Sequence, residues 1–388
     1  MLDEAHLLAN EDPAHVAGQL SRKPCDFVEY HCMLMRTELL RAHVVDPDIR
    51  CVHEHIDSSF SARRLGFATW LEPSARITYL AHRDYLLDEL HFFRNRWAQT
   101  EADASIATFC RKWNVIDDAR SFAGVRRFLV DHVSQVDPIR PALRDHPEHA
   151  SEMSARELRQ TRSQLLDLAR ERGYTRNELV TIANAYHLAH ILVDGGYRPC
   201  GRPFINHLTG TAGVLVRYGF RCEVVAAGLL HSAYTHCPPH AAGIREAAKA
   251  VCAALGGRGS PLERRVRSYT LRETAGTSAN APADPSTLSL SEAETLAVVA
   301  ANELDMHLSG EIRYTGRSDL LDASAMAPIA HVCDVLAVGG LYRTLRREQA
   351  NAPSVPREFM TTMRFSYRIG QDRRSAVPMA SNVNGALP

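Results

Sequence analysis

Apolar residues in the second half of the chain recur at intervals of three and four positions, the spacing of a helix with one buried face. This pattern predicts helices over 151–171, 175–193, 208–217, 222–230, 241–255, 291–308 and 325–348. Thr175 precedes the second of these helices and Glu178 follows three positions later, a combination typical of a capping box. We therefore expect residues 151–350 to form an all-α domain.

The first half of the chain has a different pattern, in which short apolar runs alternate with helical ones. Strands are predicted over 25–36, 67–73 and 76–80, and helices over 37–41, 56–66, 104–115 and 119–133. Residues 25–135 are therefore expected to form an α/β module behind an N-terminal extension, residues 1–24. The whole chain is predicted to be α+β and mostly α.

Three further segments have the composition of irregular structure. Residues 136–150 combine prolines with charges and are predicted to be a linker between the two modules. Residues 256–286 are rich in Gly, Pro, Ser, Thr and Arg, which predicts a mobile loop. Residues 351–388 are expected to be a tail that is largely disordered.

The charge balance argues against some classes of partner. The 388 residues contain 45 Lys and Arg against 45 Asp and Glu, so no net field favours nucleic acid or an anionic membrane surface. No apolar run reaches the length of a transmembrane helix, and no signal peptide is predicted. The nine cysteines lack Cys-x-x-Cys spacing, as is typical of reduced thiols. We expect a cytoplasmic protein that acts on a small molecule, and homo-oligomerisation stays open.

Two of the 19 histidines carry the candidate chemistry. His207 follows the Gly-Arg-Pro turn at 201–203, and His231 comes directly after the apolar helix at 222–230. Two separate helices can aim two imidazoles at one point, as a metal or phosphate site requires. The alternative is structural, with His207 capping the start of its helix and His231 packing beneath it.

The segment 185–236 resembles the HD-type metal-dependent phosphohydrolase superfamily, and within it the guanosine tetraphosphate hydrolase branch of SpoT-like proteins. The residues at matching spacings are Arg198, Gly201, Pro203, Phe204, Ile205, His207, Leu229, Leu230 and His231. The run 301–305 falls where that family has its last metal ligand. The resemblance implies a helical domain with a divalent metal at His207 and His231, and a cofactor-binding role for Arg198, which matches the family's base-stacking arginine.

The acidic ligands of that family are replaced in this chain. Ser232 stands where the family has an aspartate, His236 lies where it has an acidic pair, and Asn302 replaces the later aspartate. The resemblance leaves Ser232, His236 and Asn302 as candidate metal ligands and Glu303 as a candidate catalytic residue. The candidate metals are zinc, iron and manganese, and a histidine-rich, carboxylate-poor donor set suits the first two better. The alternative for Asn302 and Glu303 is structural, with both side chains on a helix face where neighbouring backbone groups satisfy their hydrogen bonds.

Residues 25–113 resemble the C-terminal, acceptor-binding half of a family 2 glycosyltransferase with the GT-A fold. The matching segments are 54–67, 71–79 and 92–97. In inverting members of that family an acidic residue acts as general base, so the resemblance makes Glu54 and Asp57 catalytic candidates. The donor half of that fold, with its Asp-x-Asp metal clamp, has no counterpart in residues 1–24. Both acids would also suit a helix N-terminus without any catalysis.

Three functions from different classes are therefore hypotheses. The first is an HD-like metal-dependent enzyme, a hydrolase or oxygenase, acting on a nucleotide or on a small phosphorylated or oxidisable metabolite. The second is a glycosyltransferase that uses a nucleotide sugar and has a regulatory helical module. The third is a non-catalytic module that binds a nucleotide or phosphate around Arg198. The HD-like module is the more complete unit, so the first function is our expectation, with the glycosyltransferase-like module as a truncated fusion partner.

Overall fold

The chain divides into two compact units. The computed structural model describes residues 11–42, 44–75, 77, 85–118, 122–236, 244–275, 284–315, 323–351, 355–361, 366–369 and 376–378. Unit 1 comprises residues 1–83 and 89–135, and unit 2 comprises residues 84–88 and 136–388. Helices dominate the described residues and the strands form small antiparallel sheets, which confirms the prediction of an α+β, mostly α protein at this level.

Unit 1 is built mainly from helices. Its elements are α1 (Pro13–Val16), β1 (Lys23–Cys25), α2 (Thr37–Arg41), α3 (Glu54–Arg64), β2 (Thr69–Leu71), α4 (Glu89–Arg96), α5 (Gln99–Trp113) and α6 (Ala123–Val136). Strands β1 and β2 pair in antiparallel register, with Lys23 opposite Leu71. The core joins α3, α5 and α6 through Ile49, Cys51, Val52, Ile56, Ala102, Ile106, Phe109, Phe122 and Leu129.

The residue before α3 has a backbone conformation that is uncommon outside glycine. His53 has φ 66°, in the left-handed region. Its ring lies 5.2 Å from the ring of Phe109 and 5.1 Å from that of Phe122, measured between centroids. Burial between two aromatic rings of the core accounts for the retention of this conformation, since the packed surroundings fix the side chain.

The strand predicted over 25–36 is wrong beyond its first residue. Strand β1 ends at Cys25, and Tyr30–Cys32 is a short 3-10 helix. None of residues 25–36 is buried, and the side chain of Leu34 is fully exposed. Phe27 and Met35 pack against core clusters only as partly buried residues, so the segment lacks the buried face of the predicted strand. No third strand pairs with β1 or β2 among the described residues.

The other elements predicted for unit 1 are found where the structure describes them. Strand β2 lies within the predicted strand 67–73. Helices α2, α3, α5 and α6 occupy the four predicted helical segments, with ends shifted by a few residues. The strand predicted over 76–80 lies outside the described residues, apart from Ile77.

Unit 2 is a helical assembly with a small sheet. Its helices are α7 (Pro147–Ala150), α8 (Arg162–Glu171), α9 (Arg176–Leu192), α10 (Phe204–Arg217), α11 (Cys222–Leu230), α12 (Ile244–Ala254), α13 (Pro261–Ala275), α14 (Leu290–Leu308), α15 (Glu311–Thr315), α16 (Ala323–Val335) and α17 (Gly339–Ala350). Its strands are β3 (Gly196–Tyr197), β4 (Tyr367–Ile369) and β5 (Ala376–Pro378), paired antiparallel in the order β3-β4-β5. None of the helices among the described residues is long and apolar enough to cross a membrane.

Helix α10 lies at the centre of unit 2, where it packs against α8, α11 and α14. Glycines allow two of these close approaches. A Cβ atom at Gly228 of α11 would lie 2.5 Å from Cδ1 of Leu215 on α10, and one at Gly210 of α10 would lie 1.8 Å from Oδ1 of Asp305 on α14. Helices α11 and α14 are thereby held close to α10.

Several predictions for unit 2 need correction. The helix predicted over 151–171 begins only at Arg162, because Thr161 caps it and Ser154 with Glu157 caps a separate 3-10 turn. The segment 325–348 is two helices, α16 and α17, separated where Ala337 has φ 58°.

Segments predicted to be irregular also contain regular structure. The loop predicted over 256–286 contains α13, whose first turn is capped by the Ser260 hydroxyl, which accepts from the backbone N–H of Glu263 at 3.1 Å. Residues 276–283 of that loop lie outside the described residues. Strands β4 and β5 fall in the segment predicted to be a disordered tail. Residues 136–150, predicted to be a linker, belong to unit 2 and form a 3-10 helix and α7.

Candidate metal centre

A tight turn before α10 positions three of the residues that build the site. Gly201 has φ 85°, a conformation that glycine adopts without strain, and its N–H donates to the carbonyl of Arg198 at 2.8 Å. The N–H of Arg198 donates to the carbonyl of Arg202 at 2.8 Å, and Pro203 then leads into α10. The turn therefore carries Arg198 and Arg202 next to the first turn of α10, which bears His207.

The buried ring of His207 is oriented by a carboxylate. Its Nδ1 lies 2.7 Å from Oδ2 of Asp305, a residue of α14 that is completely buried. Nδ1–H donates to this carboxylate, so Nε2 carries the lone pair. Nε2 is buried and has no hydrogen-bond partner among the described residues. Burial lowers the pKa of His207 well below its usual value, which keeps the ring neutral.

Arg202 supplies the positive charge that balances Asp305. Its Nη1 lies 2.7 Å from Oδ2 and its Nη2 lies 3.0 Å from Oδ1, a bidentate pair. Burial raises the pKa of Asp305, and the Arg202 guanidinium opposes that rise. The bidentate geometry indicates a carboxylate rather than a carboxylic acid, since both oxygens accept.

His231 is anchored in a corresponding way by the backbone. It directly follows α11, and its Nδ1 lies 2.7 Å from the carbonyl oxygen of Gly228. Nδ1–H must be the donor in this bond, because the carbonyl can only accept. Burial lowers the pKa of His231 to about 4, although the bond to Gly228 and a hydrogen bond with Asn302 act in the opposite direction. His231 is therefore neutral at pH 7, with its lone pair on Nε2.

The two imidazoles meet. Their ring centroids are 5.3 Å apart and the ring planes are nearly perpendicular, at 83°. The structure thus brings together the two histidines that the sequence singled out, one from α10 and one from the end of α11. Both are neutral rings that use Nδ1 for an anchor.

A second buried ion pair lies beside these rings. Arg198 pairs with Glu311 of α15, with Nη2 2.7 Å from Oε1, and its guanidinium is 5.2 Å from the ring centre of Phe204. Oε2 of Glu311 is buried and has no hydrogen-bond partner among the described residues. Arg198 also contributes to the lowered pKa of both His207 and His231, as a neighbouring positive charge would.

The three other predicted metal ligands, Asn302, His236 and Ser232, have different contacts. Asn302 lies on the face of α14 that meets His231, with its Nδ2 also 3.8 Å from Sδ of Met306. His236 has its Nδ1 2.8 Å from Oγ1 of Thr235, and burial lowers its pKa to about 3. Ser232 is buried directly after His231, and its carbonyl accepts from the N–H of His236 at 2.9 Å.

Glu303 points in a different direction from the other predicted residues of α14. It lies two positions before Asp305, which is roughly 160° around the helix. Its Oε1 is 3.4 Å from Nε2 of His307, one turn later on the same side of α14. The structure therefore places Glu303 beside His307, whereas Asn302 and Asp305 accompany the histidine pair.

The two catalytic candidates of unit 1 are both held by cations. Glu54 pairs with Arg96 at 2.9 Å. Asp57 is buried, with Nζ of Lys112 2.9 Å away and Nε1 of Trp113 donating to its Oδ1 at 2.7 Å. These contacts join α3 to α4 and α5, so both acids have a structural function.

Three residues of the site did not emerge from the sequence, namely Arg202, Asp305 and Glu311. Asp305 gave a signal, since it lies three positions after Asn302 and so on nearly the same helix face. Arg202 lies inside the glycine-proline turn that the motif marks. Glu311 gave no local signal, because its function depends on α15 returning to Arg198.

Few side chains that coordinate metals strongly lie at this site. Among the described residues, no group of three or more His, Cys, Asp and Glu side chains is arranged to hold a metal ion. The donors are Nε2 of His207, which has no partner among the described residues, together with Nε2 of His231 and the amide of Asn302, two residues that hydrogen-bond with each other. Comparison of the chain with protein-family models, with curated proteins and with solved structures found no match. The function must therefore be inferred from the geometry of these residues.

Proposed function

We propose that unit 2 is an HD-like helical domain that binds a divalent metal through Nε2 of His207 and Nε2 of His231. The observation that carries the proposal is the anchoring of both rings through Nδ1. His207 donates to a carboxylate and His231 to a backbone carbonyl, at 2.7 Å in each case. Imidazoles that ligate metals nearly always donate their other N–H to one of these two groups, which fixes the ring and its tautomer.

The atoms that lack partners also fit a cation. Nε2 of His207 and Oε2 of Glu311 are buried acceptors without a donor among the described residues. Buried polar atoms are normally satisfied, so each of these two acceptors calls for a positively charged or hydrogen-donating ligand. A donor set based on imidazole suits zinc or iron. Two protein nitrogens leave coordination positions for Asn302, water and substrate.

The substrate class follows from the charges around the site. The proposed activity is that of a metal-dependent enzyme acting on a small phosphorylated metabolite, with the metal supplying Lewis acidity to a phosphoryl oxygen. Arg198 lies beside the imidazoles, and an anionic group of the substrate would bind its guanidinium by competing with Glu311, its ion-pair partner. Asp305 keeps the proton of His207 on Nδ1, and Arg202 keeps Asp305 ionised.

A non-catalytic binding module is the second candidate. It is favoured by the lack of a third His, Cys, Asp or Glu ligand among the described residues, since two imidazoles alone hold a metal weakly. In that case Arg198 and the buried imidazoles would bind a nucleotide or phosphate without turnover. A glycosyltransferase activity in unit 1 has less support, because Glu54 and Asp57 are both paired with cations.

Metal analysis of the full-length chain tests the proposal. The purified protein is reconstituted with Zn²⁺ or, without oxygen, with Fe²⁺, desalted, and its metal content is measured by mass spectrometry. We expect about one metal ion per chain, and its loss in His207→Ala and in His231→Ala. His187→Ala is the matched control, because His187 is an exposed histidine of the neighbouring helix α9 and should retain the metal.

Circular dichroism shows whether each variant retains its helices, so that loss of metal is not confused with unfolding. If the wild-type protein stays metal-free after reconstitution, the proposal of a metal-dependent enzyme is wrong and the non-catalytic binding module is favoured. Metal that persists in both histidine variants would place the ion elsewhere and would equally contradict the proposed site.

A further inference from the structure

An open cleft lies on unit 1, at the C-terminal ends of α3 and α5. Its volume is about 330 Å³ and it is lined by Phe60, Arg63, Arg64 and Trp113. This volume is at the lower end of the range for small-molecule sites. None of the four residues belongs to the metal centre proposed for unit 2 or to the predicted catalytic acids.

The aromatic wall of the cleft is fixed by the buried residues behind it. Nε1 of Trp113 donates to Oδ1 of Asp57 at 2.7 Å, and Lys112 neutralises the same carboxylate. The ring of Phe60 meets the indole edge to face, with centroids 5.2 Å apart and planes at 83°. Phe60 also packs against the core of unit 1. The wall is thus preorganised, which reduces the entropy that a ligand loses on binding.

Two guanidinium groups flank this wall. Arg64 lies 4.6 Å from the ring centre of Trp113, and no acidic side chain among the described residues pairs with it. Arg63 lies 5.8 Å from the ring centre of Phe60 and pairs with Asp26 at 2.8 Å. Both partners of that pair are largely exposed, so an incoming anion can replace Asp26 at little cost.

The end of α3 does not cancel this positive charge. Free carbonyl groups at a helix C-terminus would repel an anion. Here the carbonyls of Ser61, Ala62 and Arg63 accept hydrogen bonds from the backbone N–H groups of residues 65–67. Gly66, with φ 84°, allows this closing turn. The carbonyl groups of residues 61–63 therefore oppose an anion at the two guanidinium groups less than free carbonyl groups would.

We propose that this cleft binds a nucleotide, with its base against Phe60 and Trp113 and its phosphate on Arg63 and Arg64. Flat aromatic rings offer a stacking surface to a base, and a base on Trp113 would displace the exposed Arg64 guanidinium that covers this ring. The displaced guanidinium can then bind phosphate oxygens in a bidentate manner. A simple inorganic anion would gain nothing from the aromatic wall. Asp57 is then a positioning residue, because it holds the indole through Nε1.

Calorimetric titration of the full-length chain with AMP, adenosine and inorganic phosphate tests this assignment. We expect AMP to bind and to quench tryptophan emission, with adenosine and phosphate each weaker by about tenfold or more, since each has only half of the recognition elements. Arg64→Ala should weaken AMP binding by about tenfold. Arg111→Ala is the matched control, because Arg111 is an exposed arginine of α5 that is hydrogen-bonded to Thr108 and should leave AMP binding unchanged.

The outcomes separate the two units of the chain. If phosphate binds as tightly as AMP, the cleft is a simple anion site and the proposal of nucleotide binding is wrong. Absence of AMP binding at millimolar concentration would overturn it as well. If AMP binding survives Arg64→Ala but is lost in His207→Ala, the nucleotide binds unit 2 and this assignment fails, whereas the reverse result supports it independently of the metal centre.

Discussion

Asp305 accepts hydrogen bonds from two different side chains in the interior of unit 2. The carboxylate is completely buried, with Arg202 on both oxygens and His207 on Oδ2. A buried charge is tolerated only when it is paired and hydrogen-bonded. Removing one partner of the pair leaves the other as an uncompensated buried charge, which destabilises the fold. Asp305 therefore serves both the orientation of His207 and the stability of unit 2.

Asp305→Asn tests this double role. The substitution leaves the Arg202 guanidinium buried without a counter-charge, which should lower the free energy of unfolding by roughly 3–5 kcal/mol. Urea unfolding followed by circular dichroism measures the loss. Glu246→Gln is the matched control, because it removes a carboxylate from an exposed pair with Lys249 and should change the free energy by less than about 1 kcal/mol. Equal midpoints for Asp305→Asn and wild type would contradict the structural role of this carboxylate.

The sequence could indicate His207 and His231 because their chemistry is local. A turn with Gly201 and Pro203 precedes the first histidine, and an apolar helix precedes the second, so the pattern itself marks both. The partners of these residues are not local. Asp305 is 98 positions from His207, and Glu311 is 113 positions from Arg198, so only the packing of α14 and α15 brings them together. Resemblance directed attention to Asn302 and Glu303, whereas the face of α14 decides that Asn302 and Asp305 meet the histidines.

At the scale of elements, the contact of α10 with α14 depends on a missing side chain. Gly210 presents its bare backbone to Asp305, at a point where Cβ would overlap Oδ1. Glycine normally weakens a helix relative to alanine, by roughly 0.5–1 kcal/mol. Its presence inside α10 is explained by this close approach, which lets the carboxylate reach both His207 and Arg202.

Gly210→Ala should therefore destabilise the protein although alanine favours the helix. A Cβ atom 1.8 Å from Oδ1 and 2.8 Å from Cγ of Asp305 forces α14 to move, and such overpacking costs roughly 1–3 kcal/mol. Gly124→Ala in α6 is the matched control, since its Cβ would meet no atom within 4 Å and the substitution should be neutral or stabilising. The melting temperatures of the two variants, compared with that of wild type, test this expectation. A Gly210→Ala variant as stable as wild type would show that α10 and α14 are not in close contact at this point.

One helix start was predicted correctly from its capping residues, whereas a helix with charged residues on its buried face was not predicted. The capping box of Thr175 and Glu178 is confirmed, with both of its hydrogen bonds present. Helix α13 was missed because its buried positions include Glu263 and Arg272, so that it lacks a continuous apolar stripe. Glu263 is accommodated there by Arg267 one turn later and by the hydroxyl of Tyr234 at 2.9 Å. These partners of the buried carboxylate are brought together only by folding, so the pattern of hydrophobic residues does not reveal them.

At the scale of the whole molecule, the composition of the two units provides separate reporters. The three tryptophans of the chain, Trp70, Trp97 and Trp113, all belong to unit 1. Tryptophan emission therefore follows unit 1, whereas circular dichroism follows helices in both units. A chain with two units need not unfold in one step, so both signals are required before a single free energy is assigned.

Acid should destabilise unit 2 through His149, a buried residue of α7. Its ring packs against the turn between α10 and α11, where a Cβ at Gly219 would lie 2.5 Å from Nε2. Burial lowers the pKa of His149 to about 4, with further lowering by His146 and Arg217 against raising by the Arg144 backbone and Asp145. In the unfolded chain the pKa returns to the ordinary value of about 6.5. Between these two values the unfolded state binds the additional proton, so stability is fully present above about pH 6.5 and is lost as the pH falls towards 4.

The contribution of His149 is a slope of about 1.4 kcal/mol per pH unit within that window. Urea unfolding from about pH 7 to about pH 4.5, followed by circular dichroism, should therefore give a shallower pH dependence for His149→Gln than for wild type. The comparison uses slopes because the substitution also removes packing and lowers stability at every pH. His190→Gln, at an exposed position of α9, should keep the wild-type slope. An unchanged slope in His149→Gln would mean that the ring is protonated in the folded state, which the close packing against Gly219 argues against, because a charged imidazole there would lack solvent.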